Sequence, residues 1–122
     1  MKLHLTPGAG LQLFSGYGAG YVAVNHVRYD SGVVVTPQAV SAWRVSGFES
    51  LAAADFGFIS ELKPEIVILG TGARQRFPGA ELRAALAASG AGVEVMDTRA
   101  ACRTYNILAS EGRKVVAAVG LE

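Results

Sequence analysis

The sequence predicts an α/β fold, in which a β-hairpin element is followed by strand-helix-strand-helix-strand. Three observations carry that expectation. The segment Ile66–Leu69 is a continuous β-branched and leucine run, the pattern of a strand buried on both faces. Two further strand-like segments, Val93–Met96 and Lys114–Val119, follow at helix-length intervals. The intervals themselves have helical composition and capping chemistry, and this alternation gives a parallel arrangement with right-handed crossovers.

Each element has a local reason. Residues 1–20 hold five glycines and one proline, and read as an irregular lead-in with a short strand near Leu11–Phe14. Tyr21–Tyr29 alternates, with Tyr21, Ala23, Asn25, Val27 and Tyr29 on one face. Asp30-Ser31-Gly32 is turn chemistry before Val33-Val34-Val35, so the hairpin is expected to fold there and to end at Pro37. Ala42–Val45 reads as a short strand carrying Trp43. Ser50–Leu62 reads as a helix in the register Leu51, Asp55, Phe58, Leu62. Gly70–Phe77 is irregular. Pro78 then suits a helix start, Glu81–Ser89 is rich in alanine and leucine, and Gly90 suits the position after a helix end. Asp97 and Thr98 are both capable N-caps for a last helix running to about Glu111, which Gly112 stops.

Composition limits the function. A chain of 122 residues with 51% hydrophobic and 17% charged residues suits one domain, residues 1–122, with its own core. The formal charge of +1 supplies no field for nucleic acid, and no basic–aromatic platform appears. The basic residues are unevenly placed: residues 74–114 hold seven Arg or Lys against four Asp or Glu. Cys102 is the sole cysteine, which excludes an intrachain disulfide and suits a reducing compartment. With only His4 and His26 beside it, no zinc pattern can be read. No apolar run reaches the ~18 residues of a transmembrane helix, and the N-terminus lacks a signal-peptide core. The expectation is a soluble cytoplasmic protein without metal or cofactor.

Ligands of open α/β sheets gather beyond the carboxyl ends of parallel strands. Two such ends lead here into Gly70–Phe77 and into Asp97-Thr98-Arg99, and the two loops meet if their strands are neighbours. On a helical wheel, Ala101, Cys102, Tyr105 and Leu108 share the sheet-facing side, while Arg99, Arg103, Asn106 and Ser110 share the opposite side. Arginines in the first turns oppose the helix dipole, and a bound anion would offset them. Arg74 and Arg76 are placed to reach the same region. The expected anion- or partner-binding residues are therefore Gly70, Thr71, Gly72, Arg74, Asp97, Thr98, Arg99, Arg103 and Asn106. Solvated surface arginines and a plain glycine turn are the simpler account of the same residues. The Gly-x-Gly element is not a dinucleotide fingerprint, because Gln75 holds the third glycine position. No nucleophile elbow, phosphate loop or carboxylate pair is present. Cys102, near a helix start and two arginines, could titrate low. Its sheet-facing position argues for a buried, inert thiol.

Ile68-Leu69-Gly70-Thr71-Gly72-x-Arg74, then Val95-Met96-Asp97-Thr98-x-x-Ala101-Cys102-Arg103-Thr104-Tyr105-Asn106, then Glu111-Gly112-Arg113, form an ordered motif set. It resembles the bacterial and archaeal family of unknown function related to mitochondrial complex I assembly factor 3, over about Tyr21 to Val119. The resemblance implies a compact three-layer domain with a mixed central sheet and an additional β element. It implies protein interaction of an assembly type and offers no catalytic residues. A non-catalytic interaction domain with a protein partner is thus the favoured function, and a small anionic ligand at the two loops is the alternative.

Overall fold

The computed structural model describes residues 10–45 and 47–120. The first nine residues of the expected lead-in lie outside them. Among the described residues, eight strands form two sheets. The smaller contains β1 (Phe14–Gly18), β2 (Tyr21–Val24) and β3 (Val27–Tyr29), in that order and antiparallel. The larger contains β4 (Val33–Val35), β5 (Val40–Ala42), β6 (Ile66–Thr71), β7 (Gly92–Met96) and β8 (Val115–Gly120), in the order β5-β4-β8-β6-β7. Strands β7, β6 and β8 are mutually parallel, whereas β4 runs antiparallel to β8 and β5 antiparallel to β4, so the sheet is mixed.

Two helices make the crossovers: α2 (Ala80–Ala87) joins β6 to β7, and α3 (Thr98–Ser110) joins β7 to β8. The first crossover steps outward from β6 and the second steps back past it. A common right-handedness therefore puts the helices on opposite faces of the sheet. Burial agrees. Val33, Val35, Ile68, Val115, Ala117 and Val119 pack with Ala101, Cys102 and Tyr105 of α3 and with Phe14, Val22 and Val24 of the small sheet. Val34, Val67, Leu69, Val116 and Ala118 pack with Trp43, Phe56, Ile59 and with Leu82 and Leu86 of α2. The result is three layers around the central sheet. Strand β6, flanked on both edges and covered on both faces, is buried from Val67 to Thr71, as its unbroken apolar run requires.

The N-terminal half departs from the expected hairpin. The alternating stretch is two strands, not one. Its turn is Asn25-His26, with φ of 47° and 70°, which is a two-residue loop of the primed kind that matches strand twist. Asn25 holds the loop: its Oδ1 accepts from Leu13 N–H at 3.1 Å and its Nδ2 donates to Leu11 O at 3.1 Å. Asp30-Ser31-Gly32 instead carries the chain from the small sheet into the large one. Gly32 is required there, since a Cβ would come within 2.9 Å of Trp43 O and 3.3 Å of Val119 O. The first strand begins at Phe14 rather than ending there, and Trp43 follows β5 rather than sitting within it.

Ser50–Leu62 is not one helix. It breaks into 3₁₀ turns at Phe48–Ser50 and Ala53–Phe56 and a short helix α1, Phe58–Leu62. Its buried residues are Phe56 and Ile59, while Leu62 remains exposed. The Asp55 side chain points back to accept from Ala52 N–H at 2.9 Å. Trp43 fixes this segment by donating from its indole N–H to Asp55 O at 2.9 Å, with its ring edge-on to Phe56 at 5.5 Å.

Candidate functional site

The two motif loops meet. Strands β6 and β7 pair in parallel with Gly70 opposite Met96. Beyond that pair, Gly72 and Thr98 exchange two hydrogen bonds: Gly72 N–H donates to Thr98 Oγ1 at 3.0 Å, and Thr98 N–H donates to Gly72 O at 2.9 Å. The Thr98 hydroxyl donates in turn to Gly120 O at 3.1 Å, which ties the ends of β6 and β8 to the first residue of α3. Thr71, buried beside it, donates to Arg74 O at 2.7 Å and accepts from Arg76 N–H at 3.2 Å, closing the loop on itself. Gly72 adopts φ of 92°, where a side chain would be strained. Gly70 is a close-approach glycine: a Cβ would stand 3.2 Å from Ala101 Cβ and 3.4 Å from both Thr98 Oγ1 and Val119 Cγ2.

The start of α3 is largely satisfied from within. Asp97 is the N-cap, and its Oδ1 accepts from Ala100 N–H at 2.8 Å. Thr98 N–H is taken by Gly72 O, and Ala101 N–H by Asp97 O. Few helix-end donors are left for an exogenous anion, which would otherwise be drawn to such an end.

Asn106 does not belong to the solvent-facing stripe. Its Oδ1 accepts from Phe14 N–H at 2.9 Å and its Nδ2 donates to Phe14 O at 2.8 Å. The amide thus pairs with β1 as a neighbouring strand would. Tyr105, one residue earlier and fully buried, donates its hydroxyl to Gln12 O at 2.8 Å and meets Phe14 edge-on at 5.3 Å. Together they fasten the small sheet to α3. No polar periodicity identifies Asn106 as a fastener, because its partner lies 92 residues away.

Cys102 is buried in the same layer, and burial pushes its thiol up from an ordinary 9.0 to about 12. It is protonated at neutral pH, so the low-pKa alternative is excluded by desolvation. Among the described residues, no cluster of three His, Cys, Asp or Glu could hold a metal ion.

The arginines divide. Arg76 is half-buried and turns away from α3. It donates from Nη2 to Thr71 O at 2.9 Å and lies over the Phe48 ring at 4.6 Å. It therefore does not reach the region of Arg99 as expected. Arg74, Arg99 and Arg103 are exposed. A cleft of about 480 Å³ opens between the β1–β2 turn (Tyr17–Gly20), Gly72-Ala73 and Asp97-Thr98-Arg99. Of the three exposed arginines it includes Arg99 alone. Gly70, Thr71 and Arg76 line a separate cavity.

A family model described as "Protein of unknown function (DUF498/DUF598)" matches residues 14–119. The chain belongs to that family. A crystal structure of a protein from Bordetella parapertussis superposes with a TM-score of 0.85 at 41% identity, covering 93% of this chain and 98% of that one. The Bos taurus protein named NADH dehydrogenase (ubiquinone) 1 alpha subcomplex assembly factor 3 is 34% identical over 105 residues, which are 84% of this chain and 57% of the bovine protein. The chain thus spans little more than half of that relative's length. A Francisella tularensis protein named 13 kDa major membrane protein is 29% identical over 104 residues, 84% of this chain and 85% of that protein. In this chain, no helix of the described residues is long and apolar enough to cross a membrane.

Proposed function

We propose that this chain is a non-catalytic interaction domain of assembly type that presents Arg99 and Arg103 to an acidic surface on a protein partner. One observation carries the reading. The two arginines stand one turn apart on the exposed side of α3, near its positive end, and among the described residues neither side chain makes an ion pair or hydrogen bond. Two like charges at this spacing, beside a helix N-terminus, cost the fold a few tenths of a kcal/mol each. The fold gives nothing back for them, whereas a partner carboxylate would. The motif's polar residues Thr71, Asp97, Thr98 and Asn106 are engaged in internal hydrogen bonds, which supports bracing over catalysis. The bovine relative's name adds support for assembly work.

The test is affinity capture from source cells with the full chain as bait and identification of the retained protein, repeated with Arg99→Glu/Arg103→Glu. Retention by the wild type and loss by the folded double variant supports the reading. Equal retention by both removes it. The same reading sets the domain in the cytoplasm, supported by the buried free thiol. Recovery only in a membrane fraction would refute that location.

The 480 Å³ cleft favours a second reading, a small anion bound among Gly72, Asp97, Thr98 and Arg99. Arg103 separates the two readings: Arg103→Glu alone should impair partner capture and leave a cleft ligand unaffected. Titration with inorganic phosphate or simple carboxylates, followed by thermal unfolding, tests the anion directly. Saturation at 100 times the dissociation constant adds about 2.7 kcal/mol.

A further inference from the structure

The order of the large sheet ends in β7, so among the described residues no strand covers its outer edge. Gly92 N–H donates to Glu65 O at 3.0 Å. The alternation of a strand then turns the main-chain groups of Gly92, Glu94 and Met96 toward β6, and those of Val93 and Val95 toward the open side. Gln75 marks that direction: its side-chain amide donates from Nε2 to Val95 O at 3.0 Å, in the place of a strand N–H. Val93 N–H, Val93 O and Val95 N–H have no partner among the described residues. Strand β7 is also thinly covered for a parallel strand. Val93 and Val95 face the α2 layer and Met96 the α3 layer, yet all three are only partly buried, whereas β6 beside them is buried from Val67 to Thr71. Glu94 stands between the two valines, exposed, on the α3 face with its neighbour Ile68. Among the described residues its carboxylate makes no ion pair or hydrogen bond. An open edge of this kind is a template for another chain.

From the open edge, the partly covered valines and the lone carboxylate together, we infer that β7 takes an added antiparallel strand from a different protein, with a lysine or arginine flanked by two apolar residues. The pattern follows from the geometry. Glu94 has its main-chain groups turned inward, so the residue opposite it forms a non-hydrogen-bonded pair, in which side chains approach most closely. A cation there meets the carboxylate. The residues on either side of that cation point to the other face and extend the apolar layer of Val93 and Val95. A second copy of this chain does not fit. Two-fold pairing over the whole of β7 sets Glu94 against the same residue of the other copy, and like charges directly opposite are destabilising. The Gln75 amide yields its place at Val95 O to a main-chain N–H. This edge uses neither Arg99 nor Arg103 and does not depend on the reading proposed for them.

The test titrates the isotope-labelled full chain with the synthetic peptide acetyl-Thr-Val-Lys-Val-Thr-amide, and with the same peptide carrying Glu in place of Lys. The amide resonances of Val93 and Val95 are followed by NMR. The Lys peptide should shift both saturably, with a dissociation constant at least about threefold below that of the Glu peptide, the scale of one cross-strand charge pair. Glu94→Lys, at an exposed position that leaves the core untouched, should reverse the order of the two peptides. The inference is overturned if neither peptide moves Val93 and Val95 through the low millimolar range, or if Glu94→Lys, folded by circular dichroism, keeps the wild-type preference. It is equally overturned if these two resonances move with protein concentration alone, which would put a second copy on the edge.

Discussion

The two sides of α3 teach different lessons. The sheet-facing side, with the loop it touches, holds nearly all of the motif's polar chemistry, and that chemistry is consumed internally. Thr98 bridges Gly72 and Gly120, Asp97 caps the helix, and Tyr105 and Asn106 grip the segment Gln12–Phe14. The outward side keeps Arg99 and Arg103 with no partner among the described residues. Residues that look alike on a helical wheel therefore do opposite work, one set holding layers together and the other spending stability on a surface. Internal partners, not residue type, distinguish the two.

That contrast can be broken by mutation. Tyr105→Ala should have the largest effect, because it removes a fully buried ring, its edge contact with Phe14 and the hydroxyl bond to Gln12. A loss of about 3–5 kcal/mol is expected in urea unfolding. Asn106→Ala should cost about 1–3 kcal/mol by the same measurement, since both main-chain groups of Phe14 lose their partner. If it cost nothing, Asn106 would rejoin the surface stripe. Asp97→Ala should cost about 1 kcal/mol, the worth of one N-cap, seen as a lower thermal midpoint. The arginine reversals should fall below all of these.

The sequence carried the second half of the fold well and the first half poorly, for physical reasons. From Ile66 onward, apolar runs, Asp97 as a cap and Gly90 and Gly112 at φ of 88° and 82° each act locally, so local reading suffices. Earlier, the hairpin turns on Asn25-His26, which carries no glycine and lies inside an alternating stretch, while the stronger turn signal at Asp30–Gly32 serves a crossing between sheets. Ser50–Leu62 has helical composition, but Trp43 and the sheet set its path from outside, through Asp55 O and the buried Phe56 and Ile59. For the candidate site, the meeting of the Gly72 and Thr98 loops could be anticipated from strand ends. The fastening role of Asn106, the turning away of Arg76 and the separate cavity at Gly70 and Thr71 could not. All three depend on which strands and layers become neighbours, a matter of tertiary placement.

The most direct measurement compares wild type with Arg99→Glu/Arg103→Glu by unfolding and by partner capture in one experiment. The account predicts a stability within about 0.5 kcal/mol of wild type, as for surface positions without partners, together with loss of the captured protein. Destabilisation comparable to Asn106→Ala, or capture that survives the reversal, would contradict it.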